Sequence, residues 1–158
     1  MILVRGIMKI PSDSSDHFLQ LGISNVLLID DIMNVLYSTR RIFKMAGIPN
    51  VDIASNCQEA KELLTKAQNL GRQYDVIFLD YHMPDMLGTK FIGEILSIER
   101  FQLNRRYTGI FMLSGETDPQ FRDAAKISGA IDFIQKPTSA STLLQICEKW
   151  ARIRTTSS

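Results

Sequence analysis

Apolar residues along this chain fall into five short runs, separated by longer stretches in which they recur every third or fourth position. The runs begin at Asn25 (to Ile29), Val51 (to Ala54), Asp75 (to Leu79), Gly109 (to Leu113) and Ile131 (to Ile134). Each has the length of a strand, and none alternates cleanly with polar residues. Between them, Ile32, Val35, Leu36, Ile42 and Phe43 share one helical face that ends at Gly47-Ile48-Pro49. Ala60, Leu63, Leu64 and Ala67 mark a second helix over roughly Cys57 to Leu70, with Asn56 as its N-cap. A third helix is predicted from about Gly88 to Ile98. A fourth starts at Asp118-Pro119 and is stopped by Gly129, and a last one runs from Ser139 to about Arg152. Strands without alternation are buried on both faces, so the pattern predicts an α/β fold with a parallel sheet covered by helices. Right-handed crossovers restrict the topology, but periodicity leaves the strand order open.

The polar break Pro11-Ser12-Asp13-Ser14-Ser15-Asp16 sets off an extension over 1–23, flexible or docked through Phe18, Leu19, Leu21 and Ile23. One domain over 24–152 and a short tail over 153–158 complete the expected organisation. Arg5 and Lys9 interrupt the apolar start before a signal core or membrane span forms, so no targeting segment is assigned. With 158 residues, 45% hydrophobic and 22% charged, the chain is long enough for one substantial core. A formal net charge of +1 gives no support to a general nucleic-acid surface. The small clusters Arg100, Arg105, Arg106 and Arg152, Arg154 read as solvated faces. Cys57 and Cys147 lack the spacing of a zinc site or a disulfide framework, which fits a reduced, cytoplasmic setting.

Chemistry gathers at three strand ends: Asp30 and Asp31 follow the first run, Asp80 the third, and Lys136-Pro137 the fifth. In a parallel sheet those ends lie along one edge, where open α/β folds place their ligand sites. Like charges about 4 Å apart repel by roughly 4 kcal/mol per pair at an effective dielectric of ~20, so three carboxylates there call for a cation. Oxygen-only donors suit Mg²⁺ better than Zn²⁺. Taken singly, the acid pair is as readily a helix cap, Asp80 a turn cap and Lys136 a surface lysine. The functional reading rests on their joint placement.

The motifs Val26-Leu27-Leu28-Ile29-Asp30-Asp31, Asp80-Tyr81-His82-Met83-Pro84 with Gly88, Ser114-Gly115, and Phe133-Ile134-Gln135-Lys136-Pro137 stand in order, each at a predicted strand end. Through them the chain from about Ser24 to Ala151 resembles the receiver domain of two-component response regulators. The resemblance implies a flavodoxin-like five-stranded parallel sheet of order 2-1-3-4-5 with helices on both faces. It also implies phosphoryl transfer from a sensor histidine kinase or histidine phosphotransfer protein to Asp80, followed by slow autodephosphorylation, in a signalling switch rather than an enzyme with a separate substrate. Mg²⁺ would be held by Asp31, Asp80 and the His82 backbone carbonyl directly and by Asp30 through water. Lys136 and the Ser114 hydroxyl would contact phosphoryl oxygens. Ser114 and Phe133 would form the switch that rearranges the face made by the fourth helix, fifth strand and fifth helix. His82 and Glu116 are candidate modulators, and Lys136-Pro137 is expected to be cis. The implied partners are the phosphodonor, an unidentified downstream protein and, as a candidate, a second copy of the chain, with no direct nucleic acid.

Leu87 stands where the family often has an aspartate before the glycine, and Asp85 supplies a carboxylate earlier in that loop. The stretch Ile98 to Tyr107 is longer than a minimal connection. No output domain follows in this sequence, so a stand-alone receiver acting by contact is expected. The alternatives are a pseudo-receiver that binds partners without phosphate, or an Mg²⁺-dependent aspartyl-nucleophile phosphatase, although His82 occupies the place of that class's second acid. A flavodoxin-type electron carrier is disfavoured, because Asp30 and Asp31 replace the loop of backbone donors that a flavin phosphate needs.

Overall fold

The two faces of every central strand are apolar, which is why the strands read as continuous hydrophobic runs. The structure, a computed structural model, describes residues 16–97 and 103–156. Its elements alternate without exception. They are β1 (Asn25–Ile29), α1 (Met33–Met45), β2 (Asn50–Ala54), α2 (Cys57–Asn69), β3 (Val76–Asp80), α3 (Gly88–Ser97), β4 (Gly109–Ser114), α4 (Pro119–Ser128), β5 (Asp132–Gln135) and α5 (Ala140–Thr156). All strand pairs are parallel, in the order β2-β1-β3-β4-β5. Leu27, Ile29, Ile77, Leu79, Ile110 and Met112 pack into one core layer with side chains of α2, α3 and α4. Their neighbours Val26, Leu28, Val76, Phe78, Phe111 and Leu113 pack into the other, with Leu36 and Phe43 of α1 and Leu143, Cys147 and Trp150 of α5.

The capping expectations hold: Asn56 accepts the Glu59 N–H, Asp118 accepts the Gln120 N–H ahead of Pro119, and Gly129 ends α4 at φ +122°. β5 begins one residue later than expected, at Asp132. The expected end of the third helix at Ile98 lies outside the described residues, as do Arg100 and residues 1–15; Arg105 and Arg106 are exposed. Of the lead-in, a helical turn at residues 16–20 brings Phe18 into the α1/α5 layer, and Ile23 is buried there too.

Two expectations fail together at the end of α5. The helix continues to Thr156, so residues 153–156 are not a tail, and Arg154 is not part of a solvated face. Its side chain is 8% exposed and its Nη1 lies 3.0 Å from Oδ1 of Asp75, which is fully buried. Nη1 and Nη2 also donate to the carbonyls of Tyr107 (2.9 Å) and Gly22 (2.8 Å), and the guanidinium lies over the Tyr107 ring. The other Asp75 oxygen accepts the N–H groups of Ser24 and Asn25, both at 2.8 Å. Arg152, in contrast, pairs on the surface with Glu148 one turn back.

Trp150, the only tryptophan, is buried against Phe111 and donates its indole N–H to the Tyr107 carbonyl at 3.1 Å. Its ring lies so close to the start of β4 that a Cβ on Gly109 would stand 2.8 Å from it. The ring is rigid and held on two sides, so Gly109→Ala is expected to cost about 1–3 kcal/mol through overpacking. Urea unfolding followed by Trp150 fluorescence measures this, and an unchanged midpoint would show that the ring yields.

Candidate functional site

Strand register sets the site. Ile29 lies opposite Leu79, Asp80 opposite Leu113 and Ser114 opposite Gln135. Asp30, Asp80, Ser114 and Lys136 therefore emerge together at the C-terminal edge, as the sequence predicts for parallel strands. Carboxylate oxygens of Asp30, Asp31 and Asp80 lie within 4.8 Å of one another. The Lys136 ammonium sits between two of them, 2.8 Å from Asp30 Oδ2 and 3.0 Å from Asp80 Oδ2. Asp30 also serves the local backbone, since its Oδ1 accepts the Ile32 N–H at 2.9 Å. One Asp30 oxygen thus pairs with the Lys136 ammonium and the other with the backbone of the turn. α1 begins at Met33 with Ile32 at the N-cap position and no side-chain cap, so the acid pair does not cap that helix.

Asp30 and Asp80 are buried, whereas Asp31 is exposed at the mouth. Burial holds the Asp80 carboxyl above its ordinary pKa and the Asp30 charge adds to this; hydrogen bonding and attraction from Lys136, and the His82 backbone N–H, offset only part of it. For Lys136 the balance is reversed. Burial alone would lower its pKa, but the hydrogen bonds and charges of Asp30 and Asp80 outweigh burial and raise it. One ammonium thus faces three carboxylates, and the remaining negative charge with its all-oxygen donors fits a hard dication.

Ser114 is fully buried. Its carbonyl accepts the Lys136 N–H at 2.8 Å and its hydroxyl accepts the Glu116 N–H at 3.1 Å. The Lys136-Pro137 bond is cis. His82 and Glu116 meet at the exposed rim, Nε2 to Oε1 3.1 Å, with the Tyr81 ring edge-on to the imidazole. Phe133 is buried beneath the Arg122 guanidinium, which also reaches Asp132 at 3.4 Å. On the side of α1, a cavity of about 380 Å³ opens beside Asp30 and Lys136, walled by Ile32, Val35, Leu36, Pro137 and Leu143.

The loop after β3 is fixed at its root. The Gly88 N–H donates to the Tyr81 carbonyl at 2.7 Å, and a Cβ on Gly88 would stand 3.0 Å from the Asp80 carbonyl oxygen. Met83 is buried and Met86 packs on the core, so both methionines hold the underside of the loop. The sequence gives no sign of where Asp85 goes. Its two oxygens accept the N–H groups of Cys57 and Gln58 at the start of α2, each at 3.0 Å. Burial would raise the Asp85 pKa, but those N–H groups hold it below the ordinary carboxylate range. Only the unfilled position at Leu87 hinted that this loop is held in another way.

Residues 26–148 match a family model described as the response regulator receiver domain. The chain is 36% identical over 118 residues to the protein-glutamate methylesterase/protein-glutamine glutaminase of Archaeoglobus fulgidus, a match covering 73% of this chain and 30% of that protein. It is 28% identical over 129 residues to the two-component response regulator ARR12 of Arabidopsis thaliana, covering 82% of this chain and 20% of that one. It therefore corresponds to a minor part of either relative. Among solved structures, the chemotaxis protein CheY4 of Vibrio cholerae superposes with a TM-score of 0.66 at 30% identity, covering 80% of this chain and 98% of that one.

Proposed function

The chain belongs to the response regulator receiver domain family, and from that premise we propose that it is a phosphorylation switch with Asp80 as its phosphoacceptor. The observation that carries this reading is the Lys136 ammonium bridging Asp30 and Asp80, with Asp31 beside them at the open edge of the sheet. A carboxylate oxygen of Asp80 attacks phosphorus. A P–O bond forms as the P–N bond of a donor phosphohistidine breaks, and the electron pair returns to the imidazole, which takes up a proton. The donor is a sensor histidine kinase or a histidine phosphotransfer protein.

Asp31, Asp80 and the His82 backbone carbonyl would hold Mg²⁺ directly, and Asp30 through water. When bound, the ion supplies charge neutralisation and alignment for in-line attack. Lys136 takes a phosphoryl oxygen as a point charge, and the Ser114 hydroxyl takes another after leaving the Glu116 N–H. Movement of Ser114 shifts the Phe133 ring between two arrangements. The added charge is thereby coupled to the surface of α4, β5 and α5, where a downstream protein or a second copy docks. His82 and Glu116, paired at the rim, modulate access to the acyl phosphate. A cytoplasmic setting fits these partners. Among the described residues no helix is long and apolar enough to cross a membrane.

Intact mass spectrometry after incubation with acetyl phosphate tests the reading. Gain of one phosphoryl mass is expected with Mg²⁺ and none with chelator. No gain under either condition, together with no Mg²⁺ binding, would leave a module that binds its partners without phosphate.

A further inference from the structure

We infer that Asp85 is a positioning residue, which ties the loop bearing the His82 carbonyl to the N-terminus of α2 and so sets the affinity of the site for Mg²⁺. The first four N–H groups of a helix have no partner within it. In α2 the first bond within the helix runs from the Ala60 N–H to the Asn56 carbonyl, and of the donors before it the Glu59 N–H goes to the Asn56 side chain. The N–H groups of Cys57 and Gln58 donate instead to Asp85, twenty-eight and twenty-seven residues along the chain in the loop after β3. A carboxylate is the group that such an end favours, because the helix dipole adds to the two hydrogen bonds.

The tie is placed where it matters. Residues 82–87 leave β3 immediately after Asp80, and His82 is bridged to Leu87 across the base of the loop. The root is held by Gly88 and Tyr81, and the underside by Met83 and Met86. Among the described residues, Asp85 is the loop's hydrogen-bonded connection to a helix on the far side. α2 is in turn joined to α3 by the Lys61 and Glu94 ion pair, so the loop is braced at both ends. Leu87 offers no polar group for that purpose.

This inference rests on the reading of Asp30, Asp31, Asp80 and the His82 carbonyl as a Mg²⁺ site, and the test separates the two. In the full chain, Mg²⁺ is titrated against amide NMR signals of wild type, Asp85→Ala, Asp85→Asn and Gln58→Pro. Hydrogen exchange at residues 57–58 and 82–88 is measured without metal. Asp85→Ala is expected to weaken Mg²⁺ binding about tenfold, in the range seen when groups that orient metal ligands are removed, and to speed exchange in both segments. Asp85→Asn, with one acceptor oxygen left, falls between. Gln58→Pro, which deletes one donor in a helical turn that tolerates proline, weakens binding with Asp85 intact. Faster exchange with unchanged Mg²⁺ affinity would reduce Asp85 to a cap for α2 and overturn the inference. Unchanged exchange would overturn the tie itself. A wild type that binds no Mg²⁺ would overturn the metal reading, while the exchange data would still report on the tie.

Discussion

Arg154→Ala is expected to lower folding stability by about 3–5 kcal/mol, the usual cost of removing one partner from a buried ion pair. The size follows from what would be left behind. Asp75 is fully buried, and without the guanidinium its charge is left with neutral partners, the N–H groups of Ser24 and Asn25 and the Tyr107 hydroxyl. The carbonyls of Gly22 and Tyr107 lose a donor in the same step. One side chain thus joins the lead-in, the segment before β4 and the end of α5, so several contacts fail together. Arg154→Lys keeps the charge but not the planar fork, and is expected to recover part of the loss. Adding Asp75→Asn to Arg154→Ala removes the stranded charge and should recover more. Urea unfolding followed by far-UV circular dichroism measures all of these. A loss below about 1 kcal/mol, the worth of an exposed pair, would mean that water reaches Asp75.

Asp80→Asn is expected to abolish the phosphoryl gain completely and, without metal, to leave the fold as stable as wild type or up to about 1 kcal/mol more stable, at the low end of what relief of a buried charge provides. The sign comes from the raised pKa of Asp80, which burial produces and Lys136 only partly offsets. A carboxyl whose folded pKa lies above its unfolded value contributes stability at acid pH and loses it as pH rises through the folded value. At neutral pH the ionised group therefore opposes folding. The amide removes that charge, and Lys136 keeps its pair with Asp30 at 2.8 Å. Intact mass and thermal unfolding of the same sample decide the point. Retained phosphorylation would move the acceptor away from Asp80, and a clear loss of stability would mean that Lys136 compensates Asp80 more fully than burial penalises it. Activity and stability are thus opposed at this one residue.

The strand-end chemistry was legible in the sequence because strong local signals carry it. Unbroken apolar runs such as Val76-Ile77-Phe78-Leu79 fix a buried strand, and a buried strand fixes where the next polar residue emerges. Asp30, Asp31, Asp80 and Lys136 could be placed together on that basis, with the resemblance supplying strand order and roles. What stayed hidden were pairings between polar groups distant in sequence. Arg154 looked like half of a small basic cluster, yet its neighbour Arg152 is solvated while Arg154 is buried against a residue 79 positions away. Asp75 looked like the start of a strand, and Asp85 like a loop carboxylate standing in for the one that Leu87 lacks. Each is decided by which donor tertiary packing brings near, and hydrophobic periodicity carries no record of that.

The span between Lys136 and Asp30 has a consequence for biosynthesis. Their contact joins residues 106 positions apart, and Lys136 follows the last strand, which pairs only with β4. Bringing such distant groups together waits on nearly every earlier crossover, so a nascent chain short of Lys136 holds the three acids without their ammonium. The bridged arrangement of Asp30, Lys136 and Asp80 then arrives late, with completion of the sheet. Until then the like charges at the sheet edge repel one another, so the last strand brings with it the group that relieves them.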